Sequence, residues 1–222
     1  MDSQPSQPFK LLVLGGTGAV GQEVLRLALA DERIARVIAP TRRPLPAHPK
    51  LDNPMPDFAT LPADAPWWKV NAVICALGST IKAAGSREAF AAIDRDLPIE
   101  AARLARQAGA TRFALNSSLG ADSAANFYLQ TKAQAEQGIR ALFYPTYVIV
   151  RPSLIDAKRV EPRFGEMAGL LLARLLLPLI PRRFRPVKAA AIAAALLTGV
   201  LSGEAGERCV ESEDISNGPK DP

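Results

Sequence analysis

Residues 10–22 read KLLVLGGTGAVGQ, and the fold turns on this stretch. Leu11, Leu12, Val13 and Leu14 are four apolar residues in a row, the mark of a short buried strand. Gly15, Gly16 and Gly18 then crowd a turn. From Ala19 the apolar spacing becomes helical, through Val20, Val24, Leu25, Leu27 and Ala28, with Gly21 inside the first turn. Strand, glycine turn and helix in that order are what a dinucleotide-binding loop needs. Glycines let the backbone bend sharply and approach a pyrophosphate. The helix start offers free N–H groups and a positive dipole end. A residue without Cβ at position 21 lets the helix pack close to the strand.

The rest of the chain repeats this alternation. Residues 36–40 (RVIAP) form a second β-rich run, followed by Thr41, Arg42 and Arg43. A nucleotide fold places its ribose-reading group there. The position holds two arginines and no acid, and guanidinium forks suit a ribose 2′-phosphate, so NADP is expected over NAD. Residues 44–66 carry seven prolines, which excludes a regular helix and leaves room for at most one short strand. His48, alone in that proline loop, reads as an exposed side chain, and Trp67 and Trp68 as packing at the sheet edge.

Residues 71–78 (NAVICALG) read as the next buried strand, with Cys75 a small core residue and Gly78, Ser79 and Thr80 at its carboxyl end. Residues 86–109 read as a long helix, kinked or divided by Pro98 and ended by Gly109, with Phe90, Ile93, Leu97 and Leu104 on the buried side. Strands are expected at 111–116 and 147–150, and a helix at 126–136 between them. Ser117 and Ser118 fall at the carboxyl end of the first of these strands. Tyr128 and Lys132, four apart on the helix, share a face. Residues 187–201 form an alanine-rich helix, and 208–211 a last short strand.

Composition narrows the function classes. The chain has 222 residues, 48% of them hydrophobic, enough for one domain with a sizeable core. The net charge is +5, but there is no basic run interleaved with aromatics, so a nucleic-acid partner is not expected. Two distant cysteines give neither a disulfide framework nor a metal pattern and suit a reducing compartment; with no apolar signal core in the first ten residues, a cytoplasmic protein is expected. Residues 167–180 are the most apolar stretch, too short to span a bilayer, and lead into the basic run 181–185. A pocket-covering helix is the simpler reading of 167–185; peripheral membrane contact is the alternative.

Three blocks together resemble the short-chain dehydrogenase/reductase superfamily, and more narrowly its atypical branch, which includes the Tat-interacting-protein-like oxidoreductases. They are Gly15 to Gly21, whose G-x-x-G-x-x-G spacing is that of extended and atypical members; CALGST at 75–80 with Ala84, Gly85 and the DRD of 94–96; and SSLGAD at 117–122 running into NFYLQTK at 126–132. The likeness covers residues 9–212. It implies a Rossmann-like α/β fold: a doubly wound, mostly parallel sheet with helices on both faces and a small C-terminal helical substrate region at about 153–203. Residues 1–8 and 213–222 are expected to be disordered tails.

The resemblance also implies roles. Gly15, Thr17, Gly18, Ala19, Val20 and Gly21 would cradle the pyrophosphate, Arg42 and Arg43 would take the 2′-phosphate, and Leu77 and Gly78 would pass beside the adenine-side ribose. Tyr128 would be the general acid/base and Lys132 would bind the nicotinamide ribose. Ile155 and Arg163 would lie near the nicotinamide. Ser118, or else Ser117, would orient a substrate carbonyl. Arg151, Pro152 and Ser153 stand where relatives often have Arg-Pro-Gly. The chemistry is consistent, because a phenol is a poor base at neutral pH and an ammonium one helical turn away favours its phenolate. The function expected is an NADP-dependent oxidoreductase acting on a small carbonyl or alcohol, with no metal. The alternative is a non-catalytic NADP-binding sensor or protein-interaction module.

Overall fold

The computed structural model describes residues 8–156 and 181–215. The glycine-turn unit forms as read: strand β1 (Phe9–Leu14) runs into the turn, and helix α1 (Ala19–Ala30) starts at Gly18. Seven strands make one parallel sheet. After β1 come β2 (Ile34–Ile38), β3 (Leu51–Asp52), β4 (Ala72–Cys75), β5 (Arg112–Asn116), β6 (Thr146–Arg151) and, late in the chain, β9 (Gly206–Glu211). Their order across the sheet is β3-β2-β1-β4-β5-β6-β9. The chain therefore builds outward from β1 in one direction, returns, and builds outward in the other. The crossing point between β1 and β4 is where ligands bind in open α/β sheets. The proline-dense excursion contributes only the two-residue β3 and a 3₁₀ turn at Pro66–Trp68, in which Trp68 is buried and its indole N–H donates to the Pro62 carbonyl.

Each face of the sheet carries its own apolar cluster. On one side α1 packs beside α6 (Ala189–Ser202), through Val24, Ala28, Ile192 and Leu196. Helix α6, expected within the substrate-side segment, thus covers the central sheet. The other face is covered by α4 (Leu97–Gln107) and α5 (Phe127–Arg140), with Phe113, Ile139 and Tyr147. A pair of two-residue strands, β7 (Ile155–Asp156) and β8 (Val187–Lys188), forms a separate small sheet. Helix α7 (Ser212–Ile215) extends order past residue 212, with Ser212 and Ile215 buried.

The long helix expected at 86–109 is divided, and not by a simple kink. Short helices α2 (Ile81–Ala84) and α3 (Arg87–Ala91) precede a π turn at Ala92–Asp96, where the Leu97 amide bonds back to the Ala92 carbonyl, and α4 follows. Pro98 has no N–H to donate, and the helix widens just before it. Phe90, Asp94 and Pro98, at four-residue steps, are buried, while Ile93 and Leu97, expected on that face, are only half-buried.

Candidate functional site

At the crossing point the glycine turn and the loop after β4 enclose a cleft. It is lined by Gly15, Thr17 and Gly18 of the turn, by Ala76, Leu77, Gly78 and Ser79 after β4, by Thr41 and Arg42 after β2, and by Ile93 and Leu97. Glycine is required twice. Gly15 has φ +82° and a Cβ there would stand 2.6 Å from the Ala76 carbonyl oxygen; a Cβ at Gly21 would stand 2.0 Å from the Gly15 carbonyl oxygen. The turn and the first coil of α1 are locked in contact. No side chain caps the start of α1, and its first turn holds no acid. Its leading amides are left for an anion.

The ribose-reading loop is held by Asn53. Its amide donates to the Ala39 carbonyl (2.6 Å) and to Thr41 Oγ1 (2.7 Å), and Thr41 Oγ1 donates in turn to the Arg43 carbonyl (2.6 Å). Arg42 follows in this loop, exposed and lining the cleft; Arg43 is exposed beside it, outside the cleft lining. Ala19 is exposed at the helix start, whereas the Val20 side chain enters the core.

Behind Gly78 two helical segments meet in matching four-residue steps. The Tyr128 ring stacks on Phe90 with centroids 5.5 Å apart. One turn further along both segments, Lys132 Nζ is 2.7 Å from Asp94 Oδ1, with the lysine side chain 6% and the aspartate side chain 0% exposed. The second Asp94 oxygen accepts the Ser79 N–H at 2.9 Å. Sequence reasoning gave Lys132 the nicotinamide ribose and the phenolate of Tyr128, and gave Asp94 no role. The signal available was an aspartate four residues after Phe90, on the otherwise apolar side of a helix.

The two serines separate. Ser117 is buried and donates to Glu136 Oε1, and Glu136 also takes a bidentate pair from Arg151, Nε to Oε1 at 3.0 Å and Nη2 to Oε2 at 2.6 Å. Arg151 further contacts Glu211 on β9 at 3.0 Å. The Glu136 carboxylate holds the Arg151 guanidinium more firmly protonated than usual. Ser118, next in the chain, is half-buried and outside this network. Asn116, at the end of β5, is buried with its Oδ1 unpaired. Cys75 is fully buried, which pushes its thiol up to about 12, in keeping with a core residue. Ile155 lies exposed in β7 and does not line the cleft. Arg163 and residues 167–180 lie outside the described residues. No helix among the described residues is long and apolar enough to cross a membrane.

Comparison with known proteins agrees with this geometry. A family model described as NAD(P)H-binding matches residues 15–167. The structure is similar to the oxidoreductase ylbE of Lactococcus lactis, with TM-score 0.64 and 16% identity, covering 94% of this chain and 96% of that one. It is also similar to MoeE5 in complex with UDP-glucose and NAD, with TM-score 0.67 and 16% identity, covering 93% and 79%. These likenesses define the class, an NAD(P)H-binding protein of Rossmann-like fold.

Sequence relatives narrow it. HTATIP2 of Rattus norvegicus is 30% identical over 230 aligned positions, 96% of this chain and 93% of that protein. Protein fmp52, mitochondrial, of Emericella nidulans is 34% identical over 175 residues, 74% of each chain. The chain belongs to the NAD(P)-binding atypical short-chain dehydrogenase/reductases, in the branch of HTATIP2. The fungal relatives are named mitochondrial, which overturns the expectation of a cytoplasmic protein. Cysteine usage reports on redox state and does not separate one reducing compartment from another.

Proposed function

We propose that the protein is an NADP-dependent oxidoreductase acting on a small carbonyl or alcohol, with Tyr128 moving the proton. The observation that carries this reading is Lys132 Nζ lying behind Gly78, a residue of the cleft wall, on the helix that also carries Tyr128 one turn earlier. The cleft suits a dinucleotide on its own terms: the uncapped start of α1 favours an anion, and the contact of Gly21 with Gly15 holds the turn at that start. Thr17, Gly18, Ala19 and Val20 would hold the pyrophosphate through their backbone. Arg42, with Arg43 beside it, would hold the 2′-phosphate, Leu77 and Gly78 the adenine-side ribose, and Lys132 the other ribose. Ile155 and Arg163 remain assigned to the nicotinamide end. A bound nicotinamide supplies or accepts hydride. The Ser118 hydroxyl orients the substrate oxygen, and the Tyr128 hydroxyl gives it a proton or takes one. A thermal-shift comparison tests the cofactor: NADPH should raise the melting temperature more than NADH at equal concentration. Tyr128→Phe should abolish NADPH-dependent turnover while binding persists; undiminished turnover would remove Tyr128 from the chemistry.

A second reading, a non-catalytic NADP-binding sensor or protein-interaction module, has one observation in its favour: Lys132 is already engaged by a buried carboxylate. Tight NADPH binding with no oxidation across a broad carbonyl panel would select it. Peripheral membrane contact is compatible with both readings. Of the segment 167–185 proposed for it, residues 181–185 are described, with Phe184 47% exposed. Co-sedimentation with anionic vesicles tests it, and retention in the supernatant would dismiss it.

A further inference from the structure

We propose that Asp94 is a positioning residue that ties the wall of the nucleotide cleft to Lys132, so that nucleotide seating and the placement of the lysine ammonium are set by one carboxylate. The inference rests on the oxidoreductase reading and deepens it. Asp94 uses both oxygens on opposite sides: Oδ2 accepts the Ser79 N–H at 2.9 Å, and Oδ1 lies 2.7 Å from Lys132 Nζ. Ser79 lines the cleft. Gly78 lies directly over the pair, since a Cβ there would stand 3.8 Å from Asp94 Oδ1 and 3.9 Å from Lys132 Nζ. Only a residue without a side chain separates the two charges from the space a nucleotide would fill.

Stability alone is a poor reason for this arrangement. Two charges withdrawn from water add little net stability, and well-packed apolar residues would fill the same volume as well or better. The pair does something apolar residues cannot. The ion pair sets where the ammonium charge sits, and an ammonium, with three donors and no acceptor, can still donate to a ligand from that place. Asp94 lies four residues after Phe90, on the same inner face, and both are buried. Phe90 stacks on Tyr128 while Asp94 pairs with Lys132, so one helical segment sets both members of the Tyr–Lys face. Arg42, which also lines the cleft, is outside this linkage.

The test is a double-mutant cycle on the full chain with NADPH and a turned-over carbonyl. Asp94→Asn, near in shape but without charge, is expected to lower kcat about tenfold, and Lys132→Met about a hundredfold, the scale of a displaced catalytic group. The double variant is expected to be no slower than Lys132→Met alone, because Asp94 acts through the lysine. The preference for NADPH over NADH is expected to stay as in the wild type in Asp94→Asn. If no carbonyl is turned over, the same cycle is read in the Kd for NADPH. Should Lys132→Met fail to fold, Lys132→Arg takes its place in the cycle. Losses that multiply in the double variant, or an Asp94→Asn protein indistinguishable from wild type, would overturn the inference and leave the oxidoreductase reading intact. A wild-type protein with no affinity for NADPH or NADH would instead remove that reading, and the role of Asp94 with it.

Discussion

The two halves of the site are built on opposite plans. The adenine half is backbone: a glycine turn, an uncapped helix start, and an exposed arginine in the cleft lining. The other half is side chain, and its charges already answer one another. Lys132 meets Asp94, Ser117 and Arg151 meet Glu136, and Arg151 also reaches Glu211. In the first half a ligand completes hydrogen bonding that the chain leaves open. In the second the charged groups answer one another within the chain, and a ligand finds them held in place. Affinity is therefore expected to depend on the turn and Arg42, and geometry on the buried pairs.

Four substitutions probe this contrast, in descending size. Glu136→Ala strips the bidentate partner from Arg151, whose side chain is only 12% exposed, and leaves it Glu211 as nearest partner; it should cost about 3 kcal/mol of unfolding free energy in urea denaturation. A cost under about 1 kcal/mol would mean the second half is not organised by its ion pairs. Gly21→Ala forces a methyl group into the Gly15 carbonyl and should cost about 1–3 kcal/mol, with at least about a tenfold loss of NADPH affinity by direct titration. Loss of stability with unchanged affinity would separate the turn from the ligand. Arg42→Ala should weaken NADPH about tenfold, or about 1.4 kcal/mol, and leave NADH unchanged; equal losses for both would place Arg42 away from the 2′-phosphate.

The smallest effect is a surface control. Arg140 donates to both Glu207 oxygens at 2.6 Å, and this holds the Glu207 carboxyl below its usual range. With the folded value depressed, the stabilisation is complete at neutral pH and fades as pH falls below about 4. Both partners are more than a third exposed, so Glu207→Gln should cost no more than about 0.5 kcal/mol at pH 7 and nothing at pH 2. A larger cost would erase the distinction between buried and surface pairs.

What was legible in the sequence follows the same division. The adenine half is a local pattern, and strand, turn and helix at 9–30 could be read from spacing. So could the proline-dense excursion with its single short strand, and Cys75 as core. The second half depends on residues far apart in the chain. Nothing in the spacing of Glu136 and Arg151 announces that they meet, or that Ser117 joins them, because a strand and a helix must first pack. Asp94 was hidden by a different cause: its spacing from Phe90 puts it on the inner face, but an acid there has a reason only once Lys132, on another helix, is brought against it. The pairing of 155–156 with 187–188 is a third case, since two strands of two residues leave no periodic signal.

Strand β9 pairs with β6 along its whole length, from Thr146 with Gly206 to Arg151 with Glu211. More than fifty residues separate the two partners in the order of synthesis. Until the ribosome has delivered residue 211, the apolar TYVIVR strand is the outermost of the growing sheet, with one row of peptide groups bare. Chains that stall or are clipped in that interval expose a template for strand addition and are the species in which aggregation should begin.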